Sequence, residues 1–423
     1  MRISFGKATR FELLLCACSF VCPVTTAAQA IVVTGAGDPT VDIPAVQAAV
    51  DQGGNIVLTG HFSFDAPPTK PNGETYRRTI TVSKIVAIWG ALDANGERPI
   101  IQGGFIPFFV ETPGQPFALY GVHFARPKGV AIWVLAAGGL VIADCRIDGV
   151  EPSSEYASYA SIANPLANAI FVGSNPSDAT QSWQPQNFSG TLSILNNSLD
   201  VGGTSGDQTL GVVVFGVGRS PDQEADLYIS GNNITNVNAR VINTKLVGGR
   251  VHIERNVITT GAIVGAAGGL TPDAINVVDA GSYLIAHNSI MAQWATGTGI
   301  LVQGNTSEEG AIVADNDVVM PAPDSTTFGA NSAGIMITGF AQGNAVLNNR
   351  IRGHARAALV VAVKGAGIPA HNTFVSNDIT GFQSSLADLY VDTGVTSTVV
   401  VGQVTKIEDH GTGTVVVPVP GAK

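Results

Sequence analysis

The chain has 423 residues, with 50 Gly, 45% hydrophobic residues, only 13% charged residues and a formal net charge of −10. It is too apolar for disorder and too often interrupted by Gly for a helical bundle. The acidic balance excludes an ordinary nucleic-acid binder, which needs a basic footprint.

The first thirty residues read as an export signal. Arg2, Lys7 and Arg10 give a positive start, Phe11 to Val24 is mostly apolar, and Ala28-Gln29-Ala30 is a small-x-small cleavage site. Leu15-Cys16-Ala17-Cys18 offers a competing lipoprotein reading, with Cys18 as the lipidated residue, but leaves a very short apolar stretch. Cleavage near Ala30 predicts a secreted, periplasmic or cell-surface protein. It removes Cys16, Cys18 and Cys22, leaves Cys145 alone, and takes the formal charge from −10 to −12. No later stretch is long and apolar enough to read as a transmembrane span.

Residues 31–54 read as an arm and a cap. Ile31 to Ala36 is a first strand. Asp42 can cap a following helix, Pro44 sits in its first turn, and Ile43, Val46 and Val50 share a face. Gly53-Gly54 stops it. Residues 55–150 are strand-rich but irregular coils. Residues 150–190 are an insertion, because the step from Cys145 to Asn197 is 52 residues.

Residues 191–398 carry the regular repeat. An apolar residue, two spacers, Asn, one spacer and an apolar residue recur with Asn197, Asn232, Asn256, Asn288, Asn316, Asn349 and Asn377, at steps of 24 to 35 residues; Cys145 stands in the Asn place of an earlier copy. Repeats of this period mean stacked units, and the runs are too short for helices. At the ~4.8 Å spacing of stacked strands, the amides would bond to one another up a column. Asn also tolerates the left-handed backbone of a tight turn. Residues 399–423 read as a closing coil and tail.

The phrases Ile229-Ser230-Gly231-Asn232-Asn233-Ile234, Ile285-Ala286-His287-Asn288-Ser289-Ile290 and Val346-Leu347-Asn348-Asn349-Arg350-Ile351 resemble those of right-handed parallel β-helix proteins, the pectin-lyase-like superfamily. The resemblance covers roughly residues 40–410 and implies an all-β solenoid with an N-terminal capping helix. It does not select an activity, since such folds host many. The signatures of particular branches are missing. Asn243-Thr244 is followed by Lys245 where polygalacturonases have Asp, and Asp409-His410-Gly411 only approximates their Gly-His-Gly. Gly206-Asp207-Gln208-Thr209-Leu210 has the letters of a methylesterase motif in the wrong order. No Asp cluster of the calcium-dependent lyases is present, so calcium has no motif behind it and no metal site is assigned.

Two constellations remain. The insertion holds Asp148, Glu151 and Glu155 near Tyr156, Tyr159 and Trp183, carboxylates and aromatics of the kind that cleave and stack on sugars. The competing reading is a solvated loop. On neighbouring coils, Arg240, Lys245 and Arg250 precede Asp273 and Asp279, which could bind a sugar acid or set an acid–base pair. The competing reading is cross-coil ion pairs of ~0–1 kcal/mol each. The seven His fall singly. A third column, Phe171, Val213, Asn276, Leu301, Met336, Val360 and Tyr390, reads as outward-facing yet mostly apolar, so a loop, a second subunit or a partner should cover it. Two functions follow: binding, and if an enzyme, lyase- or hydrolase-like cleavage, of an extracellular polysaccharide; or a non-catalytic envelope scaffold or adhesion protein that self-associates through the apolar column.

Overall fold

The computed structural model describes residues 30–67, 76–159, 164–173, 188–202, 206–217, 225–261, 270–280, 282–294, 296–305, 310–320, 329, 331–402 and 404–418. Residues 1–29, which hold the expected export signal, lie outside them.

Among the described residues all but two of the helix and strand elements are strands. They pair in parallel into three stacks, each strand hydrogen-bonded to its counterpart one coil away. A typical coil runs from Gly190–Leu195 through a tight turn to Ser198–Asp200, then by a loop to Gln208–Val217. These three strands pair with Ala225–Ser230, Asn233–Thr235 and Arg240–Val247 of the next coil. The chain is therefore a parallel β-helix, wound in the right-handed sense that parallel crossovers take. No helix among the described residues is long and apolar enough to cross a membrane.

The core is a tube of stacked rows. Ile142, Ile194, Ile229, Ile253, Ile285, Val313, Val346 and Phe374 are register partners in sequence, and all are fully buried. Burying each such side chain contributes about 1.5–3 kcal/mol before conformational entropy is set against it.

The amide file forms as the spacing predicts. The Oδ1 of Asn288 accepts from the backbone N and Nδ2 of Asn256, at 3.0 Å each, while its own Nδ2 donates to Asn316 Oδ1 at 2.9 Å and to Ile253 O at 2.8 Å. The file runs from Asn197 to Asn377, and the Cys145 backbone N donates to its first member. The turn chemistry differs from expectation. The left-handed residue is the one before each ladder Asn: Asn196, Gly231, Arg255, His287, Asp315, Asn348 and Ser376 all have φ between 52° and 69°. The ladder Asn is kept for its amide, and its neighbour carries the strain of the corner.

The cap also forms, with a different start. Helix α1 spans Pro39–Gln52, and its N-cap is Asp38, which accepts from Thr40 N at 2.9 Å. Asp42 lies buried in the first turn instead. It accepts from Ala36 N at 2.7 Å and Ser63 N at 2.8 Å, so it ties the helix to the first two strands. Val46 and Val50 close the tube, with Ile43 half-buried beside them. The far end does not close within the described residues. Val415, Val416 and Val417 of the last strand are 51%, 37% and 44% exposed.

Candidate functional site

The insertion sends helix α2, Ser154–Tyr159, across the outer face of the third stack. There Tyr76, Phe109, Trp133, Tyr156, Phe171 and Val213 form a second core. Tyr156 is buried, against the expectation of an exposed ring, and has no face to offer a sugar. Tyr159 is half-buried, edge-on to Tyr76 at 4.8 Å. Trp183 lies outside the described residues. The carboxylates are all engaged. Asp148 bridges His123 at 2.9 Å and Arg146 at 2.6 Å, Glu151 pairs with Arg126, and Glu155 pairs with Arg77 at 3.4 Å and accepts from the Tyr159 hydroxyl. An open cleft of about 730 Å³ lies beside them, but Arg77, Arg126 and Lys128 on its wall face Asp65, Glu151 and Glu155. The chemistry here is that of matched surface pairs that pin the insertion down.

The second constellation separates. Arg250 belongs to the first stack and holds Asp226 at 2.7 Å. The side chain of Asp279 lies outside the described residues. Arg240, Lys245 and Asp273 do come together, on the outer face of the third stack. Arg240 and Asp273 are register partners, with Arg240 Nε 3.6 Å from Asp273 Oδ2. Three positions on, Asn243 and Asn276 are also partners, and Asn276 Nδ2 donates to Asp273 Oδ2 at 2.9 Å. Asp273, Asn243 and Asn276 are each 1% exposed. Four of their polar atoms nevertheless have no hydrogen-bond partner: Asp273 Oδ1, Asn276 Oδ1, and both Oδ1 and Nδ2 of Asn243. The nearby Thr298 hydroxyl donates to Asn331 O at 2.8 Å.

Burial pushes the Asp273 carboxyl up to about 6, against the attraction of Arg240, the Asn276 and Thr298 contacts and the more distant Lys364. Lys364 is the member that sequence reasoning missed. It follows the long strand Arg350–Ala362, and its Nζ donates to Gln303 Oε1 at 2.5 Å, two coils back. Its ammonium is held below the ordinary lysine range by partial desolvation, then by Arg240 and Lys245, with Asp273 opposing. Three cations and one reluctant carboxylate thus share one patch of an acidic protein.

From this patch a groove of about 480 Å³ runs toward the C-terminal coils. Its floor is the continuation of the Asn276 row: Leu301, Met336, Val360 and Tyr390 are successive register partners. Its walls include Thr271, Thr338, Arg356, Lys364 and Asp392. The Arg356 guanidinium lies 5.3 Å from the Tyr390 ring centre, and the Tyr390 hydroxyl donates to Asp392 at 3.4 Å. The outward apolar column is thus confirmed in register, with Asn243 added between Val213 and Asn276. Its first half is covered by the chain's own insertion, and Leu301, Met336 and Val360 are buried too. Among the described residues no cluster of His, Cys, Asp and Glu is arranged to hold a metal ion.

Register, amide file and tube define the class of protein: a parallel β-helix with a polar cluster and groove on one outer face. No family model matches the chain. No curated protein matches it. Among solved structures it is similar to the A-module of the mannuronan C-5 epimerase AlgE6 of Azotobacter vinelandii, at 16% identity over 91% of this chain and 97% of that one, with a TM-score of 0.37. It is also similar to the tailspike of E. coli bacteriophage HK620, solved with a pentasaccharide, at 13% identity over 91% of this chain and 76% of that one, again with a TM-score of 0.37. Superpositions this loose carry no argument about the site, and the fold stands on the strand register.

Proposed function

We propose that the protein is an exported carbohydrate-binding β-helix whose groove, from Lys364 to Tyr390, holds a segment of an extracellular polysaccharide. The observation that carries this reading is the groove itself. It pairs an apolar floor and one aromatic ring with hydroxyl, guanidinium, ammonium and carboxylate groups along its edges, the mixture that a sugar's apolar faces and hydroxyl rims require. Asp273 is buried behind the Lys364 end and does not line the groove, so the lining supports binding rather than proton transfer. The scaffold reading loses its motive, since the apolar column offers no broad exposed face among the described residues.

The test is a panel of neutral and acidic polysaccharides, followed by affinity electrophoresis, new reducing ends and absorbance of unsaturated products. Tyr390→Ala should weaken binding by about tenfold, the usual loss when an anchoring ring is removed. Absence of binding to every member of the panel would overturn the reading. Binding without either product restricts it to recognition.

A further inference from the structure

A buried polar cluster lies behind the Lys364 end of the groove. We infer that Asn243, Asn276, Asp273, Arg240, Lys245 and Lys364 form a subsite for the acidic substituent of a sugar residue, a carboxylate or sulfate ester carried on a ring with free hydroxyls. The inference rests on the groove being a polysaccharide site and names the sugar's chemistry.

Two independent observations meet here. The first is unmet hydrogen bonding. Buried side-chain amides normally find partners, yet both polar atoms of Asn243, one of Asn276 and one of Asp273 have none. Asn243 Nδ2 needs an acceptor, and the two amide oxygens need donors. A metal ion would satisfy the oxygens alone and would meet three cations. An inorganic anion would satisfy the nitrogen alone. A sugar acid offers both, with acid oxygens to accept and ring hydroxyls to donate.

The second observation is charge. Lys364 feels the repulsion of Arg240 and Lys245, and Asp273 offsets only one of these three cations, so the patch is net positive within a chain of formal charge −10. The cation that now fills the site is loosely held. Arg240 reaches Thr271 O at 3.4 Å, Thr271 Oγ1 at 3.3 Å and Asp273 at 3.6 Å, all long for charged hydrogen bonds, so exchanging these contacts for a ligand's acid group forfeits little. Thr271 and Lys364 also wall the groove, so one chain could span both.

The experiment titrates the full chain with polygalacturonate, dextran sulfate and neutral dextran, at low and raised salt. Each titration is repeated with Lys364→Gln, on an exposed turn, and with Asn243→Leu and Asn276→Leu, both checked for folding by circular dichroism. One of the anionic polymers should bind about tenfold or more tighter than dextran, the preference should shrink with salt, and Lys364→Gln should remove most of that preference. Preference for polygalacturonate identifies a carboxylate, and preference for dextran sulfate a sulfate ester. Equal binding of all three overturns the acid subsite and leaves the groove reading standing. An anionic preference that survives Lys364→Gln and both Asn variants places it elsewhere and also overturns the inference. No binding of any polymer overturns the groove reading with it.

Discussion

Asp273 shows how much a single buried residue can report. Its folded carboxyl titrates at about 6, above the ordinary 3.8, because burial disfavours the charge more than Arg240 and Asn276 favour it. The folded state therefore holds the proton more tightly than the unfolded chain does. Its contribution is fully present below about pH 4, and it is lost as pH rises toward and past 6, a change on the order of 2–3 kcal/mol. Asp273→Asn should flatten that part of the profile, and urea midpoints measured from pH 4 to 7 on both chains check it. Equal slopes would show that the carboxylate is relieved in some other way. The alternation of Arg240 and Asp273 was legible in the sequence, because strands one coil apart place equivalent positions together. The burial was not, since it depends on which residues cover the outer face. Lys364 was not legible either. It sits on a turn closed by the Lys364–Gly367 bridge, and no strand period fixes where a turn residue's long side chain reaches. Tyr156 failed in the opposite direction. A Tyr beside two Glu reads as exposed, and only the packing of α2 against Trp133 and Phe171 turns it inward.

At the scale of the element, the amide file was the most legible feature, because one six-residue phrase fixes core, corner and ladder together. What the phrase left ambiguous was the division of labour between adjacent residues. Asn348-Asn349 places two Asn at one corner, the first left-handed, the second in the file. The file predicts a graded response to substitution. Asn288→Ala strands the backbone N of Asn256 and leaves its Nδ2 only the bond to Ile229 O, the Asn316 Oδ1 acceptor keeps only the backbone bond, and Ile253 O loses the Asn288 donor. Each buried group left unpaired costs about 1–3 kcal/mol, so the total should be several kcal/mol. Asn377→Ala, at the open end of the file and 9% exposed, should cost about half as much or less, because water can replace part of what is lost. Chemical denaturation of the two variants compares them. Equal destabilisation would mean that the file does not act as a buried column. The N-terminal cap was legible in kind but offset. Asp38 and Asp42 are both plausible caps by type, and the choice was made by Ala36 and Ser63, whose backbone donors require a carboxylate at position 42.

A solenoid of this kind has no single long-range core, since each coil rests on its two neighbours. Its ends therefore decide where it opens. The first coil is sealed by α1, whose Val46, Ala49 and Val50 lie on the tube and whose Asp42 bonds to two strands. The last described strand, Val415–Val417, pairs on one edge with Val399–Val401 and leaves its core-row residue Val416 over a third exposed. Nothing in its coil repeats the Asn of the file, so the corner there lacks the bond that ties every regular coil to the next. Opening should begin at the C-terminal coils and travel inward, while the groove, which reaches Tyr390 and Asp392, lies within the first few coils to go. Native-state hydrogen exchange should show protection rising from Val415–Val417 through Val399–Val401 to Thr373–Val375 and levelling only in the coils around Asn256 and Asn288. Bound polysaccharide should raise protection most in Arg350–Ala362 and Phe382–Val391, because those strands carry the groove floor and stand nearest the open end. Uniform exchange along the tube, or protection lowest at Ile31–Ala36, would show that the open end is not where the molecule yields.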